Sequence, residues 1–123
     1  MMLNQPILFL ATDQADASRA FYEDTLGLEL IADEPFALVF RVAEHTLRIQ
    51  KVEQAQVLPY TTLGWNVEDI DSAIKQLSDK GVTFERYDGM GQDERGVWQT
   101  PDGAKITWFK DPVGHLLSLT QVP

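Results

Sequence analysis

The chain has 123 residues, 44% of them apolar and 24% charged, a size and balance that fit one soluble globular domain with a real core. A formal net charge of −9 makes nucleic acid phosphates and anionic membranes poor partners, and the absence of cysteine removes disulfides and thiolate chemistry. No apolar run approaches the ~18 residues of a membrane span, and the start "MMLNQPILFL" carries no basic region or small-residue cleavage site, so a cytoplasmic protein is expected.

The first strand, residues 6 to 11, alternates Ile7, Phe9 and Ala11 on one side with Pro6, Leu8 and Leu10 on the other. Asp13 precedes a helix containing Ala17 and Phe21, and Gly27 follows as a left-handed C-terminal cap. Strands are read at 37 to 42 ("ALVFRV") and, after the turn "VAE", from His45 ("HTLRIQ"); "EQAQVLP" at 53 to 59 is a linker. The pattern then begins again. A strand at 61 to 67 sets Leu63, Trp65 and Val67 against Thr62, Gly64 and Asn66. Asp69 suits an N-cap, Ile70, Ala73, Ile74 and Leu77 make one apolar helix stripe, and Gly81 closes it.

The stretch 87 to 105, "YDGMGQDERGVWQTPDGAK", has neither strand nor helix periodicity. With Gly89, Gly91 and Gly96 around Met90 and Trp98, its composition suits a mobile lid whose Trp98 stacks on a ligand; a satellite core or a dimer contact is the other reading. "KITWFK" at 105 to 110 and "HLLSLTQ" from His115, separated by "DPVG", end the chain. Trp108 and Phe109 alternate, so one faces inward, toward the ligand side of the sheet, and the other the core; the pattern leaves open which, with Trp108 taken as the inward one. His45 and His115 begin equivalent strands and are read as surface turn residues.

Setting Asp13 against Asp69 pairs Phe9 with Trp65, Ala17 with Ala73 and Phe21 with Leu77, and setting His45 against His115 pairs Arg48 with Ser118. The chain thus reads as β-α-β-β-β written twice, modules 5–52 and 60–122 of a single domain joined by 53–59.

On "FLATDQADASRAFYEDTLGLEL" and "WFKDPVGHLLSLTQ", the chain resembles the vicinal oxygen chelate superfamily of glyoxalases, extradiol dioxygenases, fosfomycin-modifying enzymes and bleomycin-resistance proteins. The resemblance implies an α+β fold in which two βαβββ modules form a curved eight-stranded mixed sheet. That sheet would be a cup with helices on its outer face, a ligand or metal inside it, and commonly a homodimer. For metal-dependent members it implies four ligand slots, usually His, Glu or Gln, which fall here on Pro6, Arg48, Thr62 and Ser118. Proline has no donor, arginine repels a cation, and the hydroxyls are weak ligands, so neither a metal nor another cofactor is expected.

What remains on the expected inner face is a binding surface. Arg48 there grips a carboxylate, phosphate or sulfonate, or else pairs with one of the 19 acidic residues. Thr62, Asn66 and Ser118 offer hydrogen bonds to a ligand or to water. The expected ligand-binding set is Arg48, Gln50, Thr62, Asn66, Met90, Trp98, Trp108 and Ser118, with no catalytic residue assigned. The leading function is a metal-free small-molecule-binding protein of the glyoxalase/bleomycin-resistance type. The alternatives are a metal-dependent glyoxalase- or dioxygenase-like enzyme, and an interaction protein with a vestigial cup.

Overall fold

The computed structural model describes residues 1–123. Its first half runs β1 (Ile7–Thr12), α1 (Ala15–Ala20, continued by a π-helical turn at Phe21–Thr25), β2 (Glu29–Asp33), β3 (Ala37–Val42) and β4 (His45–Lys51). These strands form one sheet in the order β1-β4-β3-β2, with β1 parallel to β4 and the other pairs antiparallel. The second half repeats the plan with β5 (Thr61–Asn66), α2 (Ile70–Asp79), β6 (Trp98–Gln99), β7 (Lys105–Lys110) and β8 (Leu116–Gln121), in the order β5-β8-β7-β6. The fold is therefore α+β, built from two βαβββ modules with four-stranded mixed sheets. They form two compact units, Met1–Gln56 and Val57–Pro123.

In the first unit, alternation sends Leu10, Leu38, Phe40, Leu47 and Ile49 to one buried face. Tyr22, fully buried, follows α1 and lays its ring 5.9 Å from Phe40. The helix starts through hydroxyls. Thr12 Oγ1 accepts from Gln14 N and shares a 2.7 Å bond with buried Ser18, while Asp13 accepts from Ala55 N in the linker. Asp33 then ties the unit's elements together, accepting from Arg19 of α1 and Lys51 of β4.

In the second unit, Asp69 caps α2 by accepting from Asp71 N and Ser72 N at 3.1 and 3.2 Å. Ile70 and Ile74 on this helix, with Phe109, Leu117 and Leu119 on the sheet, are buried. Gly27 and Gly81 close their helices with φ of 74° and 94°. Asp13 and Asp69 occupy equivalent places in the repeat yet bond different parts of the chain.

Three local readings change. The segment after Gly81, where the β-α-β-β-β pattern calls for a strand, makes a single bridge, Phe84 with Phe109. The stretch 87 to 105 contains β6, whose Trp98 pairs with Ile106. His115 is 4% exposed and not a surface residue, whereas His45 at the start of the equivalent strand β4 is half-buried. Asp111 Oδ1 gathers the turn before it by accepting from Val113 N, Gly114 N and His115 N.

Candidate functional site

Each sheet has one face on its helix, and its opposite face is open only in part: Phe9 and Ile7 are exposed there, while Ala37, Val39 and Ser118 are buried; the register assigns residues to these partly open faces. In the first unit, Phe9, Arg48 and Val39 form one row across β1, β4 and β3; Ala11, Gln50 and Ala37 form the next, and Ile7, Thr46 and Arg41 the one before. Arg48 is half-buried on this face, and it enters none of the chain's ion pairs, whereas Arg19, Arg41 and Arg95 each face a carboxylate.

In the second unit, Gly64, Ser118 and Trp108 form a row across β5, β8 and β7, and Asn66, Thr120, Ile106 and Trp98 form the next. Trp108 therefore lies on the open face and Phe109, fully buried, in the core. Trp98 and Trp108 lie near-parallel with centroids 6.4 Å apart, and Tyr87 meets Trp108 edge-on at 5.8 Å. The Trp108 indole is fixed in rotation, because its Nε1 donates to Thr61 Oγ1 at 3.0 Å. Ser118 is buried beside Gly64, where an added methyl group would overlap the serine hydroxyl and approach its carbonyl to 3.2 Å.

A bulge between Thr61 and Leu63 breaks the simple alternation of β5. Thr61 takes the position beside Trp108, while Thr62 Oγ1 donates to Leu116 O at 3.2 Å. Asn66 and Gln50 are exposed, and Met90 is half-buried in a turn closed by its own N–H onto Tyr87 O. Trp98, Trp108, Ser118 and Asn66 thus share one open face, and Arg48 and Gln50 share the other unit's. Sequence patterning missed Thr61 and Tyr87. The bulge has no local signature, and Tyr87 sits in an aperiodic stretch where no face can be read.

That stretch is fastened rather than loose. Asp93 Oδ1 accepts from Arg95 N and Val97 N, and Gln92 Nε2 donates to Glu85 O and Gly96 O. Arg86 donates to the carbonyls of Asp93 and Glu94, and Arg95 pairs with Asp71 of α2 at 2.9 Å. Burial pushes the Asp93 carboxyl up, but the N–H groups of Val97 and Arg95 and the nearby guanidinium charges outweigh it and hold the group below its ordinary value. The Tyr87 phenol is shifted the other way, raised by burial and then by the Glu85 charge, so it stays a neutral hydrogen-bonding group.

The four positions that would hold a divalent ion do not fit one. Pro6 has no side-chain donor, Arg48 is a cation, and the hydroxyls of Thr62 and Ser118 are weak neutral ligands. Nowhere in the chain do three His, Cys, Asp or Glu side chains gather as a metal site would require.

Comparison with known proteins agrees with this architecture. No curated protein matches the chain. Among solved structures, lactoylglutathione lyase from Agrobacterium tumefaciens aligns with a TM-score of 0.72 at 17% identity, over 96% of this chain and 94% of that one. A glyoxalase family protein from Enterococcus faecalis gives 0.72 at 22% identity over 98% and 99% of the two chains. A glyoxalase/bleomycin resistance protein/dioxygenase from Nocardioides gives 0.70 at 22% over 98% and 85%. At these identities the likeness is one of fold. The family model for the Glyoxalase/Bleomycin resistance protein/Dioxygenase superfamily matches residues 5–119, nearly the whole sequence, and the chain belongs to that superfamily.

Proposed function

We propose that this protein binds a small, flat, largely apolar molecule without a metal, on the tryptophan-bearing face of its second sheet. The observation that carries this reading is the set of Tyr87, Trp98 and Trp108 on one open face, with the Trp108 indole held by Thr61. Covering ~100 Å² of such aromatic surface contributes about 2.5 kcal/mol, and a pre-fixed ring loses little rotamer freedom on binding. Ser118, Thr120 and Asn66 on the same face supply hydrogen bonds that set the ligand's orientation. A donor set unsuited to a divalent ion supports the metal-free part of the reading.

The test is tryptophan fluorescence titrated with 1-naphthol, alongside elemental analysis of protein incubated with nickel, zinc, manganese and ferrous iron. Saturable quenching that Trp108→Ala abolishes, with metal at trace level, is the expected result. No saturable response, or retention of one metal ion per chain, overturns it. We also propose a cytoplasmic homodimer. The cysteine-free sequence supports the compartment. Phe36, Leu58 and Tyr60, which are 79%, 42% and 59% exposed, supply apolar surface for a second copy. Sedimentation equilibrium at the monomer mass would remove the dimer.

A further inference from the structure

We propose that the open face of the first sheet carries an anion-recognition subsite centred on Arg48, which takes a carboxylate or phosphate group attached to an apolar body lying on Phe9. The inference rests on the binding reading above and adds a chemical class to it.

Arg48 lies in β4, an internal strand with β1 on one side and β3 on the other. Its cross-strand neighbours are Phe9 and Val39, and along its own strand on the same face lie Thr46 and Gln50. None of these is acidic. The other four arginines are all engaged: Arg19 with Glu23 and Asp33, Arg41 with Glu29, Arg86 with two loop carbonyls, and Arg95 with Asp71 and Asp93. In a chain with 19 acidic residues against 10 basic, an arginine without an acidic partner goes against the average environment.

A half-buried guanidinium has lost part of its hydration, and an anion that accepts from its planar fork restores what was lost. Arg41 sits on the same face, opposite Thr46, and its only acidic partner is Glu29 at 4.0 Å with both side chains exposed. Two cations and one carboxylate make this patch locally positive on a protein of net charge −9. Beside it, Phe9 is 54% exposed and Ile7 50% exposed, an apolar strip along the edge strand. An anionic head next to an apolar strip selects an amphipathic anion over a free inorganic one.

The experiment is calorimetric titration of the full chain with phenyl phosphate, benzoate, phenol and inorganic phosphate. Phenyl phosphate and benzoate are expected to bind more tightly than phenol, and phenyl phosphate more tightly than inorganic phosphate. Arg48→Gln is expected to weaken the aromatic anions about 10-fold or more, the scale of a lost hydrogen bond to a charged group. Phenol should change less than about 2-fold, since it makes no charged bond. Arg48→Lys, which keeps the charge and loses the fork, is expected to fall between, and Phe9→Ala is expected to narrow the gap between phenyl phosphate and inorganic phosphate.

Equal binding of phenol and benzoate overturns the subsite, as does an Arg48→Gln protein that melts like the wild type and binds phenyl phosphate unchanged. An Arg48→Gln protein that loses self-association with no change in anion affinity also overturns it, by assigning the guanidinium to a second copy. Should Arg48→Gln fail to fold, Arg48→Lys and the salt dependence of wild-type binding decide the matter: salt-insensitive binding sinks the proposal. Naphthol quenching at Trp108 without Arg48-dependent anion binding removes the subsite and leaves the tryptophan face standing. Arg48-dependent anion binding without quenching does the reverse.

Discussion

Three aspartates hold this chain's turns by accepting from backbone N–H groups: Asp69 at the start of α2, Asp93 in the segment before β6, and Asp111 before β8. Asp69 is held below the ordinary carboxylate range by the Ser72 N–H first and by the Ser72 hydroxyl next, and Asp93 is lowered by its own backbone N–H partners and the guanidinium charges around it. A depressed folded value means the ionised form is favoured in the fold. The stabilisation is therefore complete above the unfolded value near 3.8 and is lost as pH falls through the lower folded value. Urea midpoints of the wild type are expected to fall over that acid window, and Asp69→Asn with Asp93→Asn is expected to flatten the fall. Asp69→Ala should remove the N-cap and lower the urea midpoint at unchanged slope.

Adjacent residues of β7 have separate jobs at the scale of the element. Phe109 is fully buried, with its ring 5.7 Å from Phe84, so Phe109→Ala should destabilise by about 3–5 kcal/mol in chemical denaturation. Trp108→Ala should cost much less stability and abolish the response to naphthol, because its ring lies on the open face. Measuring stability and binding on both variants separates the two faces of one strand. The segment from Tyr87 to Val97 belongs to the same scale. Its glycines suggest mobility, yet its side-chain-to-backbone bonds fasten it, so its amides are expected to be protected in hydrogen exchange. Asp93→Ala should release that protection locally while leaving β4 unaffected. The Arg95–Asp71 pair adds little to this, since an exposed ion pair contributes about 0–1 kcal/mol.

The whole molecule is two versions of one module, and their differences carry the functional argument. The first unit offers an arginine beside exposed apolar side chains, the second a tryptophan pair with hydroxyls around it. Neither supplies the carboxylates and imidazoles of a divalent-metal centre. No helix is long and apolar enough to cross a membrane.

Much of this architecture is legible in the amino-acid sequence by itself. Alternation groups Ile7 with Phe9 and Gly64 with Asn66, the glycines mark the helix ends, and Asp69 announces its cap, because strand and helix periods and caps are local properties of the chain. That Phe9, and not the Leu8 and Leu10 side expected there, lies beside Arg48 is set by the β1–β4 register. The α+β class follows from the same local signals written twice. The tertiary structure alone decides the rest. Thr61 stands beside Trp108 because a bulge appears only when two strands pair. His115 is buried while His45, at the start of the equivalent strand, is only half-buried, a difference the repeat cannot show. Tyr87 joins the tryptophans through a loop with no period to read. Arg48 is left without a carboxylate because the choice of counter-ion depends on which strands flank it, and that choice is made only when distant segments assemble.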